Sequence, residues 1–354
     1  MSPPTPSPEI RVAVTQAEPI WLDLDETVLK TIKLIIEAAA HGAQLITFPE
    51  CWIPGYPAWI WSRPVDFDLT TLYTKSSMAV DSPHMRTLCD SARCNNIAVA
   101  LGFSENYNNS LYIAQALISA NGKLAMTRRK LKPTHMERTI FGEGTGNSLH
   151  NVVDVNGVGK VGQLACWEHA QPLLKYHTCM QNEDVHVSAW PPVYEHRGGR
   201  GLWSMSRDGC RNLSQTHAIE SQSFVLHTTS VITQPGIDRL QTSETSLFGV
   251  PGGGSSAIFG PDGRQLSEDI PETMEGILYA DLDFDEILRA KGFLDVCGHG
   301  SRSDMLWLGV DDREKAPLKR HRTGEDFGGG TLTGGSPPPK PCDKPLVFSW
   351  MNQT

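Results

Sequence analysis

The sequence contains no uncharged apolar run approaching the ~20 residues that a membrane-crossing helix requires, so no membrane span is expected. Nor is there a basic block longer than Arg128-Arg129-Lys130, and 40 Asp and Glu outweigh 31 Lys and Arg to give a formal net charge of −9. Binding a phosphate backbone takes a basic stripe, which excludes nucleic acid as a partner. The leader Met1-Ser-Pro-Pro-Thr-Pro-Ser-Pro8 has no basic region running into an apolar one and does not read as a secretory signal. The eight Cys, at positions 51, 89, 94, 166, 179, 210, 297 and 342, lack the regular spacing of a small disulfide scaffold. A reduced, cytoplasmic setting is therefore expected, in which the Asn-x-Ser/Thr sites at Asn108, Asn212 and Asn352 carry no glycan. No Gly-x-Ser-x-Gly elbow supports Ser/His/Asp hydrolysis, and no internal repeat is visible.

What is present is the composition of a packed protein, with 39% hydrophobic and 20% charged residues. Ile10–Gln16 has the β-branched and small residues of a buried strand. Glu26–His41 places Val28, Leu29, Ile32, Ile35 and Ile36 at helical spacing and stops at Gly42. Leu45–Phe48 is a short strand ending at Pro49-Glu50. Then follow a helix over Ser82–Cys94, a strand over Ile97–Phe103, and a hairpin of Leu111–Ser119 with Lys123–Arg128 around Asn121-Gly122. Past a loop at Leu131–Ser148, strands are predicted at Lys160–Ala165, Val185–Ala189 and Phe224–Ser230, with helices at Gln171–Gln181 and Asn212–Ser221. Ser256–Phe259 and Gly276–Asp281 flank the turn Pro261-Asp262-Gly263, and Phe284–Lys291 closes the series as a helix. Alternating strands and helices predict one α/β domain over 10–312, with a mixed sheet covered by helices. Residues 1–9 form a disordered leader in this reading, and 313–354 a Gly/Pro-rich tail too poor in apolar residues to fold alone.

Glu50, Lys130 and Cys166 each stand where an apolar strand ends, and that is where α/β folds expose side chains to a site. Singly, a capping Glu, a solvated Lys and a buried structural Cys are all commoner than catalytic residues. Together they suit attack on a carbon bonded to nitrogen. A free thiol has a pKa near ~8.5, so a carboxylate base such as Glu50 is needed to generate thiolate at neutral pH. Lys130 can stabilise developing negative charge, and Glu137, seven residues on, can orient Lys130.

Two other readings are weaker. Cys166, His169, His177 and Cys179 are all zinc-ligand types, but their spacing is not that of a finger or ribbon. Gly157-Val-Gly-Lys-Val-Gly162 has the letters of a dinucleotide fingerprint, yet it leads into a strand rather than a helix and reads as a turn. Trp52, Trp59, Trp61 and Trp190 lie near the strand ends in sequence; buried aromatics are usually core, though such a group can also line an apolar pocket.

Three segments in this order resemble the nitrilase superfamily: Phe48-Pro-Glu-Cys-Trp-Ile-Pro-Gly-Tyr-Pro57, Arg128-Arg-Lys-Leu-Lys-Pro-Thr-His-Met-Glu-Arg138 and Gly162-Gln-Leu-Ala-Cys-Trp-Glu-His169. The resemblance runs from about Ile10 to about Leu308. It implies an α-β-β-α sandwich whose protomers pair into four-layered bodies, and it implies no cofactor and no metal. It implies Glu50 as base, Lys130 as electrophilic stabiliser, Cys166 as nucleophile and Glu137 as second carboxylate, with a pocket built from Trp52, Tyr56, Trp59, Trp167, His169 and Trp190. Thr-His-Met-Glu-Arg138 and Cys166-Trp-Glu-His-Ala-Gln-Pro172 resemble true nitrilases, most of all the fungal and bacterial arylacetonitrilases. The expected reaction converts an aromatic or arylaliphatic nitrile into acid and ammonia through a thioimidate and a thioester, with some amide. Cyanide hydration, amide hydrolysis and an inactive oligomeric scaffold are the alternatives, and a homo-oligomer, a dimer-based spiral or filament, is the expected assembly. Gly298-His-Gly-Ser-Arg-Ser-Asp304 departs from the family pattern by lacking its Tyr and Pro, and Cys51 stands where Val is usual.

Overall fold

The computed structural model describes residues 9–245 and 247–315. The expected tail therefore lies outside the described residues apart from 313–315, as does the leader apart from Glu9. The strands are β1 (Ile10–Ala17), β2 (Leu45–Thr47), β3 (Ala98–Tyr107), β4 (Ser110–Ile118), β5 (Leu124–Arg129), β6 (Phe141–Gly142), β7 (Val152–Val155), β8 (Gly159–Ala165), β9 (Val185–Ala189), β10 (Phe224–Ser230), β11 (Ala257–Phe259) and β12 (Gly276–Leu282). The helices are α1 (Leu24–Ala40), α2 (Phe67–Ser76), α3 (Pro83–Asn95), α4 (Pro172–Cys179), α5 (Arg207–Ser221), α6 (Gln234–Leu240) and α7 (Asp285–Phe293).

Two sheets share one seam. The first runs β5-β4-β3-β2-β1, with β12 antiparallel on β1; the second runs β10-β9-β8-β7, with β11 on β10. At the seam the last residues of β1 pair in parallel with β10, Gln16 opposite Thr229 and Ala17 opposite Ser230. Val12, Val14, Leu45, Ala98, Ala100 and Leu117 from the first sheet meet Val161, Val185, Val187, Phe224, Leu226 and Ile258 from the second in one apolar core. Each Val, Leu, Ile or Phe among them contributes about 1.5–3 kcal/mol when fully buried. Ala13 and Thr15, on the other face of β1, are also fully buried, so the sheet is covered on both sides. Helices α1 and α3 pack together on one flank, while α4 and α5 pack together on the second sheet. The expected mixed sheet and α-β-β-α layering are both present.

Local chemistry sets the element ends. Asp23 caps α1 by accepting from the Glu26 N–H at 3.0 Å, and Ser82 caps α3 ahead of Pro83. Helix α5 starts at Arg207, five residues before the Asn212 expected, because the Ser206 hydroxyl accepts from the Gly209 N–H. Gly122 (φ 80°) turns the expected β4–β5 hairpin. The glycine-rich stretch from Gly157 turns another, between β7 and β8, and binds no helix end. Strands β11 and β12 flank the 261–263 turn but pair with β10 and β1, not with each other. Among the described residues, no helix is long and apolar enough to cross a membrane.

Candidate active site

Strands β2, β5 and β8 end at one place. Just beyond β2 lies Glu50, Lys130 follows β5, and Cys166 opens a 3-10 turn (Cys166–Ala170) directly after β8. The sulfur and a carboxylate oxygen of each of Glu50 and Glu137 lie within 4.8 Å of one another. Lys130 Nζ donates to Glu50 Oε1 at 3.1 Å and to Glu137 Oε2 at 2.8 Å. All four side chains are buried, so their interactions are only weakly screened by water.

The surroundings fix each group. Glu137 sits in the 3-10 turn His135–Thr139, where its Oε2 accepts from the Thr134 N–H at 2.7 Å and its Oε1 from the Tyr56 hydroxyl at 3.1 Å. The Glu50 N–H donates to the Trp190 carbonyl, and Glu50 Oε2 has no protein partner. That oxygen is free to accept a proton from the thiol or a water. Cys166 adopts φ 51°, a left-handed conformation costly for a residue with a Cβ. The turn is braced by Glu168, which takes two hydrogen bonds from the Arg128 guanidinium and one each from the Leu131 and Ala165 N–H groups. Although burial alone would raise it, Arg128 holds Glu168 below the ordinary carboxylate value. This brace ties the turn carrying Cys166 to the segment carrying Lys130.

Charge follows from the same geometry. Burial pushes Glu50 from 4.5 up to about 8, against the pull of Lys130. Burial and the Glu50 carboxylate push the Cys166 thiol well above its ordinary value. Burial opposes the Lys130 cation, yet Glu137 and Glu50 keep it firmly protonated. At rest the site thus holds a thiol, an ammonium ion and a carboxyl group that titrates close to neutrality, the arrangement that lets a base take up the thiol proton when a substrate arrives.

Above the sulfur lies a cavity of about 290 Å³, whose walls include Tyr56, Trp61, Trp167, Trp190, Leu247 and Phe248. Four of the aromatics named from the sequence therefore reach it. Trp52, Trp59 and His169 are not among its lining residues. The Trp52 indole donates to Thr31 Oγ1 beneath α1, Trp59 packs edge-on against Tyr73, and His169 is covered by the turn it belongs to. Their neighbours in sequence face the cavity, but their own rings point into the core. Most of the rim comes from Tyr194–Arg197, Leu202 and Met205, which sequence reading did not single out; the Trp190-Pro191-Pro192 strand end was the only signal pointing there. Gly298-His299 makes turn contacts to Asp295, and neither residue lines the cavity.

The residues suggested as zinc ligands are separately engaged. His169 faces the Cys166 carbonyl and His186, His177 faces the Leu149 carbonyl, and the Cys179 sulfur lies with Glu183 and His217.

Gly102 on β3 passes so close to the end of β2 that a Cβ there would sit 2.0 Å from the Pro49 carbonyl oxygen. Only a glycine allows that approach. Gly102→Ala should displace Glu50, cost about 1–3 kcal/mol of stability and lower turnover more than its melting temperature shift accounts for. Thermal denaturation with an activity assay on the same sample checks this, and unchanged activity would show that the close approach does not place Glu50.

Comparison with known proteins places this geometry. The carbon-nitrogen hydrolase family model matches residues 11–291. An arylacetonitrilase of Aspergillus niger is 60% identical over 315 residues, covering 89% of this chain and 96% of that protein. An arylacetonitrilase of Aspergillus kawachii is 61% identical, covering 89% and 94%, and one of Hypocrea virens is 55% identical, covering 91% and 98%. Among solved structures, a carbon-nitrogen hydrolase of Helicobacter pylori matches with a TM-score of 0.66 at 17% identity, covering 84% of this chain and 96% of that one. An amidase of Nesterenkonia sp. AN1, with an acetamide moiety added covalently at its active site cysteine, matches with a TM-score of 0.57 at 18% identity, covering 79% and 92%. At that identity the two structures speak to the fold alone.

Proposed function

Because this chain belongs to the carbon–nitrogen hydrolase family, we propose that it is a nitrilase acting on arylacetonitriles, with Cys166 as nucleophile. The observation that carries the reading is the convergence of the Cys166 sulfur, Glu50 and Glu137 within 4.8 Å, with Lys130 bridging the two carboxylates. Similarity to proteins named arylacetonitrilases over most of their length supports the substrate class.

Glu50 takes the proton of Cys166 and the sulfur adds to the nitrile carbon. The nitrogen then acquires that proton, giving a thioimidate. Water, deprotonated by Glu50, adds to the same carbon, with Lys130 balancing the charge that builds up. Protonated nitrogen leaves as ammonia, and a second water hydrolyses the remaining thioester to acid and free thiol. Should the sulfur leave first, the product is the amide. Glu137 keeps Lys130 charged and aimed throughout. Tyr56, Trp61, Trp167 and Trp190 offer the aromatic wall against which an aryl ring packs.

The proposal extends to a cytoplasmic homo-oligomer of paired protomers, a dimer-based spiral or filament. It is supported by exposed apolar residues Leu288, Phe293, Leu306 and Trp307, the kind of surface that another protomer covers. Light scattering of the purified chain checks this, and a strictly monomeric solution would sink it.

The substrate test is ammonia release on a panel of phenylacetonitrile, benzonitrile, an aliphatic dinitrile, cyanide and the matching amides. Phenylacetonitrile should be turned over fastest and the amides barely. Activity confined to cyanide or to amides would replace this reading with cyanide hydratase or amidase, and none at all would favour the inactive scaffold.

A further inference from the structure

Behind the nucleophile, away from the cavity, lies a buried string of titratable side chains that the mechanism above does not use. His169 Nδ1 faces the Cys166 carbonyl oxygen at 2.7 Å, and His169 Nε2 faces His186 Nε2 at 3.0 Å. His186 Nδ1 faces Glu183 Oε2 at 2.7 Å, and the other Glu183 oxygen faces His217 Nε2 at 2.7 Å. The three histidines are 0% exposed, and Glu183 is 5% exposed.

The four contacts constrain the proton count. A carbonyl only accepts, so His169 Nδ1 carries a hydrogen. Two ring nitrogens 3.0 Å apart need one hydrogen between them, since facing lone pairs repel. Each contact to Glu183 needs one more. That makes four protons, whereas three neutral imidazoles and a carboxylate hold three. Burial and the neighbouring His186 pull His169 well below the ordinary imidazole value, and although burial raises Glu183, the two imidazoles hold it down to about 2. The fourth proton therefore belongs on His186, against the Glu183 carboxylate. Burial, with His217 and Arg128, draws His186 down to about 4 even against the opposing pull of Glu183, but the Nε2–Nε2 contact cannot form without a shared proton, and this geometry decides for the protonated ring.

We propose that Glu183, His186, His169 and His217 form a buried relay carrying one proton beyond the neutral count, through which Glu183 acts as a positioning residue for Cys166. The protonated His186 polarises His169, whose Nδ1–H then grips the Cys166 carbonyl more strongly. That grip helps hold the nucleophile at its left-handed φ of 51°, with the sulfur turned toward Glu50 and Glu137. The other titratable groups within electrostatic reach are Arg128, His227, Cys179 and Cys297. Of these, Arg128 is already paired with Glu168. The proposal rests on Cys166 being the nucleophile.

Glu183→Gln separates charge from hydrogen bonding. The amide nitrogen can donate to His186 Nδ1 and the amide oxygen can accept from His217, so all four contacts survive with neutral rings and the extra proton is gone. Its melting temperature should stay close to wild type. Its kcat on phenylacetonitrile should fall about 10- to 100-fold with KM little changed, the scale on which partners that fix an imidazole act. Alkylation of Cys166 by iodoacetamide should slow in parallel. Nitrogen-15 spectra of the wild-type histidines should show one doubly protonated ring at pH 8, absent from Glu183→Gln. The wild-type spectrum needs neither turnover nor a folded variant, so failure of the relay is distinguishable from failure of the nitrilase reading. Three neutral rings in wild type, or wild-type kcat in a folded Glu183→Gln, would overturn the proposal. So would one equivalent of co-purified zinc lost in His217→Ala, because Cys179, Glu183 and His217 offer ligand atoms within 4.8 Å of one another.

Discussion

Cys166→Ala is expected to release no ammonia above background from phenylacetonitrile while melting within a few degrees of wild type. The loss should be on the order of 10⁴-fold or more, because the covalent route disappears rather than slows. The structure also says why the two neighbouring thiols, Cys51 and Cys210, do not rescue it. Cys51 is fully buried against Tyr73, and burial together with the Glu50 carboxylate pushes its thiol well above the ordinary value. Cys210 does line the cavity, but burial raises it to about 12, and its sulfur faces the Ser204 carbonyl rather than a base. Folding should survive because removing one sulfur from the cavity floor leaves the brace of Glu168 and Arg128 intact. Mass spectrometry of wild type quenched during turnover should show a substrate-derived adduct on the peptide containing Cys166. Residual activity in the variant, or an adduct on Cys210, would reassign the nucleophile.

Much of this site could be read from the sequence because its three key residues sit where periodic apolar runs stop. The runs ending before Glu50, Lys130 and Cys166 are short strands that carry their own signal, and the packing of the two sheets brings the ends of β2 and β5 in the first to the end of β8 in the second. The aromatic pocket was less legible. Trp52 and Trp59 lie close to Glu50 in the chain, but their rings point into the core, and adjacency in sequence says nothing about which way a loop residue faces. His169 illustrates the same limit, since its partners His186, Glu183 and His217 are distributed over a loop, a strand and a helix. Elements without a clear apolar period were also missed. Helix α2 combines Asp68, Thr70, Thr71 and Lys75 with an exposed Phe67, and α6 opens with Gln234-Pro235-Gly236, which reads as a turn. What stabilises them is packing of Leu69, Tyr73, Ile237 and Leu240 against the aromatic cluster around Trp59, a tertiary fact, with a local N-cap at Asp66 added for α2 alone.

Glu50→Gln should remove nearly all turnover and at the same time stabilise the fold at alkaline pH. Glutamine keeps the shape and can still accept from Lys130, but it cannot take a proton, so both the thiol and the hydrolytic water lose their base. The wild-type pH profile should show why. With Glu50 raised to about 8, kcat/KM should climb with pH and level off near that value, since only the ionised carboxylate acts. Stability should run the other way. A carboxyl whose folded value lies above its unfolded 4.5 binds its proton more tightly in the native state. Its favourable contribution is present at low pH and is lost as pH rises through about 8. Wild type should therefore lose stability across that window, whereas Glu50→Gln, which leaves Lys130 paired with Glu137 alone, should not. Melting temperatures of both proteins from pH 5 to 9, measured beside initial rates, test the two effects together. If the variant keeps substantial activity, another group is the base. If the two melting curves run parallel with pH, burial does not hold a proton on Glu50, and the activity profile must have another origin.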